Sequence, residues 1–182
     1  ADETLANVGE KAFQQEYECD FLGSSNTLIS TTKIKEMVWK KPVKRYQGGL
    51  AIYEEPKPRN QYIVTVDVSR GIGKDYSAFT VINVSDFPYK IAAKYQNNEI
   101  SPMVFPNTIY ETATHFNQAM VLVEVNDIGE QVGAILYNDL EYEDLIMTEH
   151  GGRKGQRISS GFGGNVYYGV RMTSNVKKIG MA

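Results

Sequence analysis

The clearest hydrophobic pattern runs from Arg59 to Glu149. The segment "QYIVTVDV" is rich in β-branched and aromatic residues, with Ile63, Val64 and Val66 leading to a single acid, Asp67. "SAFTVINV" and "YKIAAKYQ" repeat the character of a strand. The links "SRGIGKDY" and "SDFP" are short turns, so the three strands should form an antiparallel meander. "FPNTIYETATHFNQ" then places Ile109, Ala113 and Phe116 at helical spacing, with Pro106 near its start. "MVLVEVN" is a fourth, almost continuously apolar strand, which predicts burial on both faces. In "DIGEQVGAILYNDL", Ile128, Val132, Ile135 and Leu136 share one helical face, and Asp127 and Glu130 have the spacing of a capping box. "DLIMTEH" reads as a fifth strand.

The two ends are less regular. Residues 1–58 read as a connecting segment. "KAFQQEYECDFLGSSNTLIST" begins helical and turns extended, and "TTKIKEMVWKK" sets Ile34, Met37 and Val38 at helical spacing. "YQGGLAIYEEPKP" is a Gly-Gly turn, a short strand and a proline stop. At the other end, "GGRKGQRISSGFGGNVYYGVRMTS" reads as a flexible tip joining two extended arms. The order of three meander strands, helix, strand, helix, strand predicts an α/β domain over residues 59–182. There is no internal repeat.

Composition narrows the chemistry. The chain has 182 residues, 42% hydrophobic and 23% charged, as expected of a globular protein. No apolar run approaches the roughly 20 residues needed to span a bilayer, and "ADETLANVGE" lacks the features of a signal peptide. One cysteine, Cys19, excludes an internal disulfide and any cysteine-cluster zinc site, and two histidines, His115 and His150, leave little for histidine-based metal chemistry. Acid, base or metal chemistry would therefore fall to carboxylates. The net charge of −3 hides an asymmetry. From His150 to Ala182 there is no acid, while Arg153, Lys154, Arg157, Arg171, Lys177 and Lys178 are all basic. Such an end either contacts a polyanion or is a solvated hairpin.

Asp67 ends the first strand and Glu124 lies within the fourth. A charge in so apolar a run is costly unless it is paired or binds a cation. In one mixed sheet the two carboxylates would face each other and repel. A divalent cation removes that conflict, and oxygen-only ligands suit magnesium or manganese. Metal-assisted phosphodiester chemistry follows from such a site. Taken singly, Asp67 could instead bond turn amides, and Glu124 could pair with a buried Lys or Arg. Asp75 could shape the hairpin turn or lend a third carboxylate. Asp127 is most simply a helix cap. "GIGK" is no phosphate loop, since no Ser or Thr follows Lys74.

A meander carrying Asp on its first strand and Glu on its fourth is the order of ribonuclease H-like nucleases. More narrowly, "VDVSRGIGKDYSAFTVINVSDFPYKIAAKYQNN" and "FPNTIYETATHFNQAMVLVEVNDIGEQV" resemble the nuclease domain of the large terminase subunit, as in T-even-like tailed bacteriophages. "FQQEYECDFLGSS" looks like the segment joining the family's ATPase motor to its nuclease. "DLEYEDLIMTEHGGRKGQRISSGFGGNVYYGVRMTSNVKKIG" also looks like the family.

The resemblance implies a ribonuclease H-like mixed sheet flanked by helices. It implies a Mg2+- or Mn2+-dependent endodeoxyribonuclease that cuts concatemeric viral DNA during genome packaging in the host cell cytoplasm. The family's two early metal ligands fall on Asp67 and Glu124, and its turn acid on Asp75. Its long DNA-facing hairpin falls on Gly151 to Arg171, so that Arg153, Lys154, Arg157 and Arg171 would contact double-stranded DNA. The implied partners are an N-terminal ATPase domain, the portal ring and the small terminase subunit.

Two departures from the family pattern stand out. Its third metal carboxylate is expected beyond Ala182, and no phosphate-binding loop of an ATPase occurs in the chain. The alternatives are another nuclease of this fold, of the junction-resolvase or integrase type, and a catalytically dead DNA-binding or docking module.

Overall fold

The computed structural model describes residues 33, 36–38, 40–149 and 166–180. The chain divides into two compact units, Ala1–Lys40 and Lys41–Ala182. In the first, Lys33 and Glu36 form an ion pair at 3.5 Å, one helical turn apart. All elements below belong to the second.

Six strands make one sheet: β1 (Lys44–Arg45), β2 (Leu50–Ile52), β3 (Tyr62–Asp67), β4 (Ser77–Asn83), β5 (Lys90–Asn97) and β6 (Met120–Val123). Their spatial order is β1-β2-β5-β4-β3-β6. The predicted meander is β3-β4-β5, antiparallel throughout. In β3, Tyr62, Val64 and Val66 are buried, Ile63 and Thr65 are half-buried, and Asp67 is exposed. Ser77, Phe79, Val81 and Asn83 of β4 point into the same core. β5 breaks the alternation once, burying both Ala92 and Ala93. The register slips between Val81 and Ile82, which makes Ala92 the extra residue of a bulge. The Ala92 carbonyl then accepts from the amides of Tyr53 and Glu54, at 2.7 and 3.0 Å.

Residues 44–52, part of the connecting segment in the sequence-based division, supply two strands to the sheet. They fold back through a turn at Gly48 and Gly49, both at positive φ, which glycine adopts without steric cost. β2 pairs antiparallel with β5.

Helix α1 (Phe105–His115) buries Phe105, Ile109, Thr112 and Ala113 against the sheet. Phe105 stacks with Phe79 and Tyr95 at centroid distances of 6.1 and 5.6 Å, and Phe116 meets the Tyr62 ring edge-on at 5.2 Å. β6 then returns parallel to β3, as a crossover through a helix allows. A later segment is tied to the start of β6 by the Tyr142 hydroxyl, which donates to the Ala119 carbonyl at 2.6 Å. Burial pushes that phenol well above its ordinary pKa.

Three expectations are corrected. β6 is not buried on both faces: Val121 and Val123 are, but Leu122 is half-buried and Met120 is 45% exposed. Phe105, Ile109 and Ala113 of α1 belong to the same core as Val121 and Val123. "DLIMTEH" is not a full fifth strand. Leu145 makes a single parallel bridge with Val121, and only Thr148–Glu149 (β7) is extended. β7 pairs with β8 (Val166–Tyr167) in a separate ribbon, so the chain leaves the sheet after one bridge. Asp127 does not cap the following helix. Helix α2 (Gly129–Ala134) takes Ile128 as its N-cap, without a side-chain bond, and runs on through a π-helical turn at Ile135–Asp139. Asp127 itself is at φ +53° and its carboxylate turns to Arg70. The short helix α3 (Ser174–Gly180) ends the described chain.

The end of β6 is enclosed by backbone. Val170 bridges Glu124, its amide donating to the Val123 carbonyl at 2.8 Å. A Cβ on Gly129 would fall on the Glu124 carbonyl oxygen, and one on Gly169 on the Val123 carbonyl oxygen. Neither neighbour is a flexible side chain, so neither can yield cheaply. Gly129→Ala should therefore destabilise the domain by about 1–3 kcal/mol, the usual cost of overpacking. Urea denaturation checks this, and an unchanged midpoint would show that α2 can shift away from β6 without cost.

Candidate functional site

Asp67 is the last residue of β3, and Glu124 follows the last residue of β6. Val66 is in register with Val123, and the Glu124 amide donates to the Val66 carbonyl at 2.9 Å. The two acids thus stand side by side at the carboxyl ends of neighbouring parallel strands. They share a face, because Thr65 and Leu122, two positions before each, are also in register. A cavity of about 260 Å³ opens there, lined by Thr65, Asp67, Thr80, Leu122, Glu124 and Met172 among others. Asp67 also borders a second cavity of about 490 Å³, shared with Arg70, Asp75 and Asp127.

Neither bland role suggested by the sequence is found. Turn amides behind β3 are served by serines: the Ser69 amide donates to Ser77 Oγ at 3.0 Å and the Gly71 amide to Ser69 Oγ at 3.3 Å. Ser69 Oγ in turn donates to the Asp75 carbonyl at 2.8 Å, which sets the loop carrying that acid. Among the described residues, no hydrogen bond or ion pair reaches the Asp67 carboxylate. Glu124 has no Lys or Arg partner either. Asn126 Nδ2 donates to Glu124 Oε1 at 2.6 Å and lies 3.4 Å from the Met172 carbonyl. One amide therefore orients the carboxylate and ties it to the chain after Val170.

Two adjacent carboxylates with no cation against them fit a hard divalent ion such as magnesium or manganese, whose remaining positions water and substrate would fill. Among the described residues, no group of three or more metal-ligating acids, histidines or cysteines forms. Asp75 is exposed at the rim of the second cavity. Arg171 is exposed, one residue past the Val170 bridge to Glu124. Arg153, Lys154, Arg157 and His150 lie outside the described residues. Asn126 and the Arg70–Asp127 ion pair escaped sequence reasoning. The polar residue two places after Glu124 was the one signal available for Asn126, while Arg70 and Asp127 are distant in sequence and meet only once β3 and β6 pair.

Residues 64–180, more than half of the chain, match the model of the family described as Terminase RNaseH-like domain. The chain belongs to this terminase family. Its fold agrees with two solved structures of the large terminase nuclease from thermophilic phage G20c, one with bound magnesium and one with bound cobalt. Each aligns with a TM-score of 0.59 at 16% identity, covering 87% of this chain and 68% of the other. The terminase domain thus has the mixed ribonuclease H-like sheet that the sequence resemblance implied. No described helix is long and apolar enough to cross a membrane.

Because Asp67 holds no partner and neighbours another acid, its loss should relieve repulsion rather than break a contact. Asp67→Ala in this terminase domain should keep or raise the melting temperature in metal-free buffer. A fall of several degrees by calorimetry would mean that the carboxylate is structural.

Proposed function

We propose that this terminase domain is a metal-dependent DNA endonuclease that cuts concatemeric viral DNA during genome packaging in the host cytoplasm. The observation that carries this reading is the pair Asp67 and Glu124, side by side on adjacent parallel strand ends and open to a cavity. Asp67 and Glu124 would hold magnesium or manganese, and Asp75, on the loop after β3, lines the second cavity that Asp67 borders. When bound, such an ion supplies an activated water and offsets charge on the phosphate. The chain's own part is to aim and to bind. Asn126 fixes the Glu124 carboxylate, and the closed backbone around β6 keeps it from drifting. Arg171, beside the site, and Arg153, Lys154 and Arg157 grip backbone phosphates without reading bases. In the whole protein the domain would work with an ATPase motor, the portal ring and the small terminase subunit.

Nicking of supercoiled plasmid tests the enzyme. Asp67→Ala and Glu124→Ala should each lower magnesium-dependent cleavage by roughly a hundredfold or more, as expected for a group at the reacting centre. Wild-type cleavage by either variant would refute the site. DNA binding with no cutting at any magnesium or manganese concentration would favour the docking-module alternative.

The basic stretch makes a separate prediction. Replacing Arg153, Lys154 and Arg157 together with Ala should weaken binding about equally for unrelated DNA sequences. It should also flatten the salt dependence by roughly one unit per lost phosphate contact. Filter binding at several salt concentrations reads both, and unchanged slope and affinity would remove DNA from the role of this stretch.

A further inference from the structure

The Arg70–Asp127 ion pair has no part in the proposed metal site, yet it lines the second cavity, which Asp67 borders. Arg70 follows Asp67 by three residues, and Asp127 follows Glu124 by three. The parallel pairing of β3 with β6 therefore brings together the two loops that leave the carboxylates, and this ion pair joins them. Arg70 Nε and Nη2 both donate to one oxygen, Asp127 Oδ2, at 3.1 and 2.7 Å. That is a one-oxygen contact and not the two-oxygen fork that guanidinium and carboxylate can form. The remaining guanidinium N–H groups have no partner among the described residues.

Exposure and charge give the pair a use. The side chains are 65% and 66% exposed, and so open an ion pair contributes little to stability. Exchange of the carboxylate for another anion is then close to balanced. The cavity of about 490 Å³ beside Asp67 is lined by Asp67, Asp75 and Asp127, and Arg70 is the one cationic residue among its lining. A phosphodiester that enters this cavity beside Asp67 meets three carboxylates there. It needs a cation from the protein on the side that the metal does not neutralise.

We infer that Arg70 clamps a backbone phosphate of the DNA strand at the Asp67–Glu124 site, exchanging Asp127 for a phosphate oxygen as substrate enters. Asp127 is the positioning residue: its left-handed backbone, at φ +53°, turns the carboxylate to Arg70 and holds the guanidinium at the cavity beside Asp67 until then. The inference rests on the nuclease reading of the site.

Equilibrium binding of a short DNA duplex in EDTA, where no cutting occurs, gives a readout independent of catalysis. Arg70→Ala should weaken binding roughly tenfold, as loss of one charge-assisted phosphate bond does. It should also lower the salt slope by about one unit. Arg70→Lys should recover part of the affinity, since it keeps the charge without the planar fork. Asp127→Asn should bind at least as tightly as wild type, and Arg70→Ala with Asp127→Asn should match Arg70→Ala alone. Manganese binding, followed by calorimetry, should be no weaker in Arg70→Ala than in wild type, since the substitution removes a positive charge from the cavity beside Asp67. Unchanged affinity and slope in Arg70→Ala, in a chain that cuts DNA through Asp67 and Glu124, would overturn the clamp alone. Wild-type cleavage by Asp67→Ala would instead overturn the nuclease reading beneath it.

Discussion

Everything at the site depends on four residue pairs, from Ile63 with Met120 to Val66 with Val123. This short parallel ladder converts two acids, far apart in sequence, into neighbours. It also decides that they share a face, because a slip of one residue would turn Glu124 to the opposite side. The ladder is held in place from behind. Val64, Val66, Val121 and Val123 are buried with α1 and α2 packed on the same core. Stabilising the fold and aligning the carboxylates are thus one set of contacts. Binding geometry and stability cannot be varied independently along β6.

The close approach of Gly129 and Gly169 to the backbone of residues 123 and 124 extends this logic. Glu124 lies at the point where the ladder ends, where a chain would ordinarily fray. Here it is bonded through its amide to Val66, bridged to Val170 and oriented by Asn126. Asp67 is treated differently, with its carboxylate exposed and without a partner among the described residues. One carboxylate is held and the other free to adjust, which would suit the proposed ion, whose coordination must change as substrate enters.

Much of this was legible in the sequence. β3, β4 and β5 were readable because apolar and polar residues alternate between short turns, and α1 because Ile109, Ala113 and Phe116 recur at helical spacing. The place of Asp67 at the end of its strand was readable for the same reason, whereas Glu124, expected within the fourth strand, follows its last residue. What failed did so where a local pattern admits two outcomes. The acids Asp127 and Glu130 fit a capping box, but the positive φ of Asp127 moves the cap to Ile128 and gives the carboxylate to Arg70. "MVLVEVN" looked buried on both faces, though sequence shows what a strand can bury and not what covers it. "DLIMTEH" has strand composition, yet its pairing is spent after Leu145 because the following residues turn to β8. The contribution of residues 44–52 to the sheet was hidden by the turn-rich stretch around them.

The outer margins of the sheet carry a last implication. A strand with unsatisfied amides and carbonyls invites another chain to add itself. On one side, β1 is two residues long and both are cationic, Lys44 and Arg45, so a visiting strand would find few bonds and a repelling surface. On the other, β6 spends its outer bonds on Asp144 and Ile146 at one end and Val170 at the other. Lateral growth into a polymeric β-sheet is discouraged on both sides. Many copies of such a domain can therefore be crowded together and still meet through their faces and loops rather than their edges.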